Sequence, residues 1–257
     1  MPPATAIHLR PTAPLAERVL LPGDPGRALE LAQALLEEPR MFNHHRGLWG
    51  YTGTAPDGEP LTIQATGMGG PSAAIVLSEL IALGARRAIR VGTCGGLTPE
   101  LALGGHVIAR EAICADGTSR ALGAGERASA DPGLTEALAR HAPSALLGTV
   151  ASVDLFYETV QHAETGAEVH LSRDTGGGTG ASPELYRGGS HPADAVAIEM
   201  EAATLFALGA AAGARVACVL SVSDVFDAGG ARARIDDQAL QAAAQEMGRV
   251  AIAALSG

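Results

Sequence analysis

The 257-residue sequence is poor in aromatic residues, cysteine and basic charge. Only 3% of its residues are aromatic whereas 33 are glycine, a composition that suits close packing of helices on a sheet. Lys and Arg number 18 against 28 Asp and Glu, which gives a net charge of −10. This deficit argues against non-specific nucleic-acid binding, which needs a basic face. A few converging arginines would still serve an anionic ligand.

Segments typical of other cellular settings are also missing. The three cysteines, Cys94, Cys114 and Cys218, form no C-x-x-C pair, which favours buried free thiols in a reducing compartment. No apolar run has the length of a membrane span, and the N-terminal stretch lacks the apolar core of a signal peptide. We therefore expect a cytoplasmic protein without a nucleic-acid or membrane partner.

Apolar periodicity predicts that strands and helices alternate along the chain. Val19 to Leu21 form a short strand, after which Asp24 and Pro25 are suited to begin a helix that runs to Leu36. Turn residues within 49–67 indicate a hairpin. Further helices are predicted over 73–83, 132–141, 156–164, 199–212 and 236–255, and further strands within 86–97, 104–117, 146–152 and 214–222.

This alternation predicts an α/β fold for one domain over residues 1–257. We expect a three-layer sandwich in which helices flank a central mixed sheet. The Gly-rich stretch 172–190 is too rich in glycine for a helix. It is either a surface loop or a mobile lid over a site.

Glycine-rich turns follow three of the predicted strands. An arginine belongs to each turn: Arg27 ends the first, Arg46 lies in the segment before the second, and Arg90 directly precedes the third. The turns are "PGDPGR" (22–27), "GMGGPS" (67–72) and "VGTCGG" (91–96). Backbone N–H groups in such turns approach anions closely, although none of the three has Walker A spacing. The guanidinium groups of Arg27, Arg46 and Arg90 match phosphate geometry. For Arg90, which lies in an apolar strand, a salt bridge to a carboxylate is the alternative.

Two carboxylates, Glu199 and Glu201, interrupt the apolar run 195–206. A buried carboxylate is unfavourable unless a charge or a hydrogen-bond donor meets it. At a strand end the two side chains point to the same side with Met200 opposite, whereas a helix separates them by about 200°. The alternative is a helix N-terminus stabilised by carboxylates in its first turn.

These motifs together resemble the nucleoside phosphorylase family that includes hexameric purine nucleoside phosphorylases and uridine phosphorylases. The segments that match, in the family's order, are "LPGDPGR" (21–27), "RGLWGYTG" (46–53), "GMGGPS" (67–72), "RVGTCGG" (90–96), "DLFYE" (154–158), "IEMEAATLF" (198–206) and "SVSD" (221–224). They cover most of the chain.

The resemblance implies a composite site for phosphate and ribose. Its phosphate-binding residues are Gly23, Arg27, Arg90 and Thr93 of one subunit and Arg46 of a neighbouring one. In its ribose site, Glu201 accepts hydrogen bonds from the 2′- and 3′-hydroxyls, and Met68 and Met200 pack against the sugar. Glu199 lies at the edge of the sugar site. His8 is contributed by a neighbouring subunit. Without the resemblance, His8 is a surface residue of a loose terminus.

The resemblance also implies a base site. Phe156 stacks on the base, and Ser223 and Asp224 lie beside the base. Asp224 hydrogen-bonds to purine N7 and donates a proton to it, a role for which a raised pKa is expected. Outside the family, Asp224 is an ordinary turn residue. The arginine that assists it is either Arg232 or Arg234.

The predicted reaction is reversible phosphorolysis of nucleosides, which yields a free base and a pentose 1-phosphate. Inorganic phosphate is the co-substrate, and neither a metal nor another cofactor is expected. Gln161 without a nearby arginine favours purine over uridine, so uridine phosphorylase is the first alternative. A nucleosidase that uses water and a non-catalytic nucleoside-binding protein are the others. The resemblance further implies a homo-oligomer, a hexamer arranged as a trimer of dimers.

Overall fold

The computed structural model describes residues 6–156, 159–161, 168–170, 194–226 and 232–257. Its strands are β1 (Arg18–Leu21), β2 (Glu37–Asn43), β3 (Gly50–Thr54), β4 (Pro60–Gln64), β5 (Arg87–Gly96), β6 (His106–Cys114), β7 (Arg127–Ser129), β8 (Leu146–Ser152), β9 (Thr159–Gln161), β10 (Glu168–His170), β11 (Ala195–Glu199), β12 (Arg215–Phe226) and β13 (Arg232–Arg234). Its α-helices are α1 (Pro25–Leu35), α2 (Gly70–Leu83), α3 (Gly117–Ala121), α4 (Pro132–His141), α5 (Ala202–Ala212) and α6 (Asp237–Leu255).

Eleven strands form one mixed sheet, in the order β13-β12-β6-β8-β11-β5-β1-β4-β3-β2 with β7 beside β6. Strand β5 pairs in parallel with β1 on one side and with β12 over most of its length. It also pairs with β11 in antiparallel fashion, at Gly95 and Gly96. Strands β12, β6, β8, β11 and β5 are therefore paired in a closed circuit, which alternation of elements alone does not predict.

Helices cover both faces of this sheet. In β1, Val19 and Leu21 pack into the apolar cluster that contains residues of α2 and α5. Leu20, between them, packs into the cluster that contains residues of α1, α4 and α6. A strand buried on both faces needs an unbroken apolar run, as the segment 18–21 has after its first residue. The predicted α/β class with a central mixed sheet and flanking helices is confirmed.

Most of the predicted elements are present, and the differences are local. Asp24 is the N-cap of α1 and accepts a hydrogen bond from the Arg27 N–H at 2.7 Å, as predicted. The helix predicted over 156–164 is wrong at residues 159–161, which form β9 and pair with β10. Tertiary pairing overrides a weak helical pattern there. The short elements β2, α3, β7 and β13 were not predicted. Within the described ranges, no helix combines the length and apolarity needed to cross a bilayer.

Candidate active site

A cavity of about 490 Å³ is lined by residues of β5, β11 and β12, by the first turn of α1, and by the segments that follow β1 and β8 and precede α2 and α5. Every predicted site residue except His8 contributes to its lining. Those residues are Gly23, Arg27, Arg46, Met68, Arg90, Thr93, Phe156, Glu199, Met200, Glu201, Ser223 and Asp224. Segments far apart in the chain therefore converge on one cavity, as the family resemblance implied.

The two carboxylates of the apolar run meet Arg90. Arg90 Nε donates to Glu199 Oε2 at 3.0 Å, and Arg90 Nη2 lies 2.5 Å from Glu201 Oε2. All three side chains are almost completely buried. Although burial acts to lower it, Glu201 and Glu199 hold the pKa of Arg90 above its usual value. The salt-bridge explanation of Arg90 is thus correct, and both partners belong to the predicted site.

The third nitrogen of the same guanidinium, Arg90 Nη1, is buried without a hydrogen-bond partner among the described residues. The approach of this group to the backbone depends on Gly92. A Cβ atom at that position would lie 2.6 Å from Arg90 Cζ. Because an unsatisfied buried donor is unfavourable, Nη1 is available to an acceptor that enters the cavity.

Glu199 and Glu201 lie on the same side of the chain, as the strand-end interpretation predicted, but they differ in their surroundings. Strand β11 ends at Glu199 and helix α5 begins at Ala202, so both carboxylates precede the helix. Glu199 accepts from the Ala202 and Glu201 N–H groups at 2.9 Å and from Ser152 Oγ. The helix-terminus alternative is wrong in placing the carboxylates in the first turn of α5, because neither lies there. Glu199 instead satisfies N–H groups at the start of the helix from the end of β11.

Glu201 is less fully engaged. Apart from Arg90, its carboxylate accepts only from the Gly69 N–H at 2.5 Å among the described residues. Gly69 is the N-cap of α2 and has φ 86°, a left-handed conformation that favours glycine. A carboxylate has about four lone-pair positions, so Glu201 retains acceptor capacity for a ligand.

Arg27 extends the positive side of the cavity. Its guanidinium has no salt bridge or hydrogen bond to another described residue, and it lies in the first turn of α1. Burial lowers the pKa of Arg27, Arg90 lowers it further, and Asp24 opposes them. Two nearby cations and a helix N-terminus together favour an anion. Thr93, half-buried in β5, lines the same part of the cavity.

Arg46 lies on the cavity rim in a strained backbone conformation. Its φ and ψ are 60° and 18°, a left-handed conformation that costs a non-glycine residue on the order of 1 kcal/mol. Arg46 is exposed and lines the cavity of its own chain. Its predicted contribution to a neighbouring subunit stays a prediction.

His8 lies away from this cavity, and its surroundings explain why. Its Nδ1 lies 2.8 Å from Glu79 Oε1, and the N–H groups of Ile7, His8 and Leu9 donate to the same carboxylate. Burial acts to raise the pKa of Glu79, but these hydrogen bonds lower it to about 2. The segment is therefore anchored on α2 rather than loose, which corrects the surface-terminus alternative. His8's role at a neighbour's ribose remains untested.

Phe156, Asp224 and Arg232 form a second group of residues that line the cavity. Ser223 Oγ donates to Asp224 Oδ2 at 2.6 Å, and Arg232 Nε donates to Asp224 Oδ1 at 2.7 Å. Arg232 Cζ also lies 4.7 Å from the centroid of the Phe156 ring, within cation–π distance. Arg234 Nη1 is 3.5 Å from Asp224 and more exposed, so Arg232 is the closer of the two candidate arginines.

The expectation of a raised pKa for Asp224 is wrong. Burial acts to raise it, but Arg232 and Ser223 outweigh burial, and Arg234 adds to their effect, so the pKa of Asp224 is lowered. The register between β12 and β5 shifts between Val222 and Asp224, and this irregularity brings Ser223 and Asp224 together at the cavity. The antiparallel strand β13 then brings Arg232 opposite the end of β12. None of this register is visible in the sequence.

Sequence reasoning missed Ser152 and Gly69, which contact the two carboxylates. Ser152 directly precedes the "VDLFYE" segment at the end of β8, and a polar residue at a buried strand end was the available signal. The Gly-rich segment 172–190 lies outside the described residues, as does the side chain of Gln161. In the described part of the chain, no cluster of three or more His, Cys, Asp or Glu residues could hold a metal ion.

Comparison with known proteins gives a consistent result. Residues 17–256 match the sequence model of a family described as the phosphorylase superfamily. A purine nucleoside phosphorylase DeoD-type of Geobacillus kaustophilus is 33% identical over 225 residues, 83% of this chain and 83% of the relative. A uridine phosphorylase of Treponema pallidum is 36% identical over 211 residues, 79% of this chain and 76% of the relative.

A similar fold is found among solved structures. Uridine phosphorylase from Vibrio fischeri superimposes with a TM-score of 0.73 at 21% identity, covering 94% of this chain and 92% of that one. At this identity the likeness concerns the fold alone.

Proposed function

The chain belongs to the phosphorylase superfamily, and we propose that it catalyses the reversible phosphorolysis of nucleosides, with purine nucleosides as the preferred class. The observation that carries this proposal is the buried ion-pair cluster of Arg90 with Glu199 and Glu201, next to Arg27 in one cavity. It sets an anion-binding group beside a hydroxyl-binding carboxylate. Phosphate and a sugar need those two groups side by side.

The phosphate half of the site is formed by α1 and β5. Arg27, Thr93 and Arg90 line it, together with Gly23, which precedes α1, and Arg90 Nη1 has no hydrogen-bond partner among the described residues. Bound phosphate would satisfy Nη1 and neutralise the two neighbouring guanidinium groups. Held in this way, a phosphate oxygen is positioned to attack C1′ of the sugar.

The ribose half is formed by Glu201 with Met68 and Met200. The acceptor capacity of Glu201 suits the 2′- and 3′-hydroxyls, and the two thioether side chains would pack on the sugar. As the bond from C1′ to the base nitrogen breaks, its electron pair goes to the base and positive charge develops on the sugar. The phosphate anion stabilises that charge and then forms the new bond to C1′.

Asp224 is the proposed proton donor to the departing purine, at N7. Its lowered pKa means that in the free chain it is an acceptor for Arg232. We propose that a base stacked on Phe156 displaces Arg232 from the ring and weakens the ion pair. Loss of the pair raises the pKa of Asp224 and allows it to carry the proton.

A uridine substrate is the second candidate, and one observation favours it. The sequence offers no arginine near Gln161, but the fold supplies Arg232 directly over the Phe156 ring. An arginine at that position would also bind the oxygen acceptors of a pyrimidine.

We further propose that the enzyme acts in the cytoplasm as a homo-oligomer, a trimer of dimers in which Arg46 and His8 complete a neighbour's site. The three buried free cysteines are in keeping with a reducing compartment. The proposed reaction uses inorganic phosphate as co-substrate and no cofactor. Sedimentation should give an oligomer, and a fully active monomer would contradict this arrangement.

Base release from inosine, guanosine, adenosine and uridine, each with and without phosphate, tests the function. We expect phosphate-dependent release from purine nucleosides, with pentose 1-phosphate as the second product. If uridine is the sole substrate, the protein is a uridine phosphorylase, the second candidate function. Release without phosphate would make the protein a nucleosidase, and no release from any of the four would favour a binding protein.

A further inference from the structure

Ser152 and Glu199 are linked to Arg90 by an unbroken hydrogen-bond chain. Ser152 is the last residue of β8 and lies opposite Glu199 in the parallel register of β8 and β11. Its Oγ donates to Glu199 Oε1 and accepts from the Ala203 N–H at 2.9 Å. Glu199 Oε2 in turn accepts from Arg90 Nε. Ser152 and the Glu199 side chain are completely buried.

The acceptor capacity of Glu199 is used up within the protein. In the described part of the chain it accepts from four donor groups: Ser152 Oγ, Arg90 Nε and the N–H groups of Glu201 and Ala202. A carboxylate offers about four acceptor positions, so none remains for a sugar hydroxyl. By contrast, among the described residues Glu201 accepts from the Gly69 N–H and forms an ion pair with Arg90 Nη2, with no further donor.

From this difference we infer that Glu199 and Ser152 are positioning residues that orient Arg90 toward phosphate, and that Glu199 is not a ribose ligand. The inference rests on the proposed function. Glu199 holds Nε and Glu201 holds Nη2, so the plane of the guanidinium is fixed by two carboxylates. Nη1, which has no hydrogen-bond partner among the described residues, then faces the substrate. Ser152 fixes the rotamer of Glu199 and also binds the first turn of α5, so the orientation of Arg90 depends on the β8–α5 junction.

Ser152→Ala is the direct test, because it removes one donor and leaves every group of Arg90 in place. The matched control is Ser119→Ala. Ser119 is also completely buried and its Oγ donates to a buried carboxylate, Asp116 Oδ1, at 2.5 Å, but neither residue lines the cavity. Phosphate affinity is measured by titration calorimetry on the free enzyme, alongside KM for phosphate, KM for nucleoside and urea unfolding.

We expect both variants to lose stability, and only Ser152→Ala to bind phosphate about 10-fold more weakly, with KM for nucleoside nearly unchanged. In an Arg90→Lys background the same Ser152→Ala change should have an effect of less than about 3-fold, because the group it positions is gone. A merely structural role for Ser152 would give equal effects in both backgrounds.

Besides equal effects in both backgrounds, three results would overturn the inference. The first is unchanged phosphate affinity in the Ser152→Ala enzyme, provided that base release by the wild type depends on phosphate. The second is a loss confined to KM for nucleoside, which would return Glu199 to the sugar. The third is a wild-type protein that neither binds phosphate nor releases base. Only this last result would remove the proposed function as well.

Discussion

The two ends of the cavity are built differently. At the proposed phosphate–ribose end, Arg90, Glu199 and Glu201 are nearly inaccessible to solvent, and backbone N–H groups at the starts of α2 and α5 fix the two carboxylates. At the base end, Phe156 is 39% exposed and the Arg232 side chain 33%. The first end depends on buried, paired charges, and the second on two partly exposed side chains around one buried carboxylate.

This difference separates the general part of the reaction from the selective part. Attack of phosphate on C1′ is the same for every nucleoside, and it needs a rigid arrangement that water does not screen. Recognition of the base varies with the base, and exposed side chains are easier to replace without loss of the core. The comparison predicts that changes at the two ends have separable effects.

The largest effect is expected for Arg90→Gln. This change leaves two buried carboxylates facing each other without a counter-charge, at a cost of about 3–5 kcal/mol in unfolding free energy. Arg18→Gln is the matched control, because Arg18 is equally buried and paired with Asp57 but lies outside the cavity. Urea unfolding should report a large loss for both. Only the Arg90 change should abolish phosphate-dependent base release, and measurable turnover in its folded fraction would contradict the account.

Asp224→Asn should reduce kcat/KM for inosine by roughly 10²–10⁴-fold, because the acid that protonates N7 is lost. Uridine, which has no N7, is the internal comparison and should lose less. The affinity for phosphate, titrated on the free variant, should stay close to that of the wild type. Equal losses on both nucleosides would mean that Asp224 acts through the shape of the site and not as an acid.

The base end could be anticipated from the sequence only in its parts. "SVSD" and "DLFYE" identified Asp224 and Phe156, but the irregular register of β12 and the return of β13 determine that Arg232 contacts both. At the other end, the spacing of Glu199 and Glu201 indicated a shared side. Their different surroundings depend on Ser152 and Gly69, which strand pairing and helix packing bring in from remote segments. Local pattern specifies elements, whereas register between remote strands is a property of the folded chain.

Phe156→Leu should raise KM for nucleoside by roughly 10-fold, since base–aromatic stacking is worth about 1–3 kcal/mol. KM for phosphate should be nearly unchanged. Phe42→Leu provides the control, because Phe42 is a completely buried core residue away from the cavity lining. It should lower stability and leave both KM values alone. A Phe156→Leu enzyme with unaltered KM for nucleoside would contradict stacking at this ring.

The smallest effect is a pH dependence of stability at the base end. Because the pKa of Asp224 is lowered in the folded chain, its contribution to stability is present above the unfolded value of about 3.9. That contribution is lost as pH falls through the folded value. The difference in unfolding free energy between wild type and Asp224→Asn should therefore shrink below about pH 4. A difference that grows on acidification would mean that the carboxyl is protonated in the folded chain.

The separation of the two ends is tested most directly by initial rates over a matrix of phosphate and nucleoside concentrations for wild type, Arg90→Lys and Phe156→Leu. Arg90→Lys retains a cation, so the comparison does not depend on a protein that fails to fold. We predict that Arg90→Lys raises KM for phosphate with little change in KM for nucleoside, and that Phe156→Leu does the reverse. If each variant raises both KM values equally, the cavity acts as a single unit and its phosphate–ribose and base ends do not act separately.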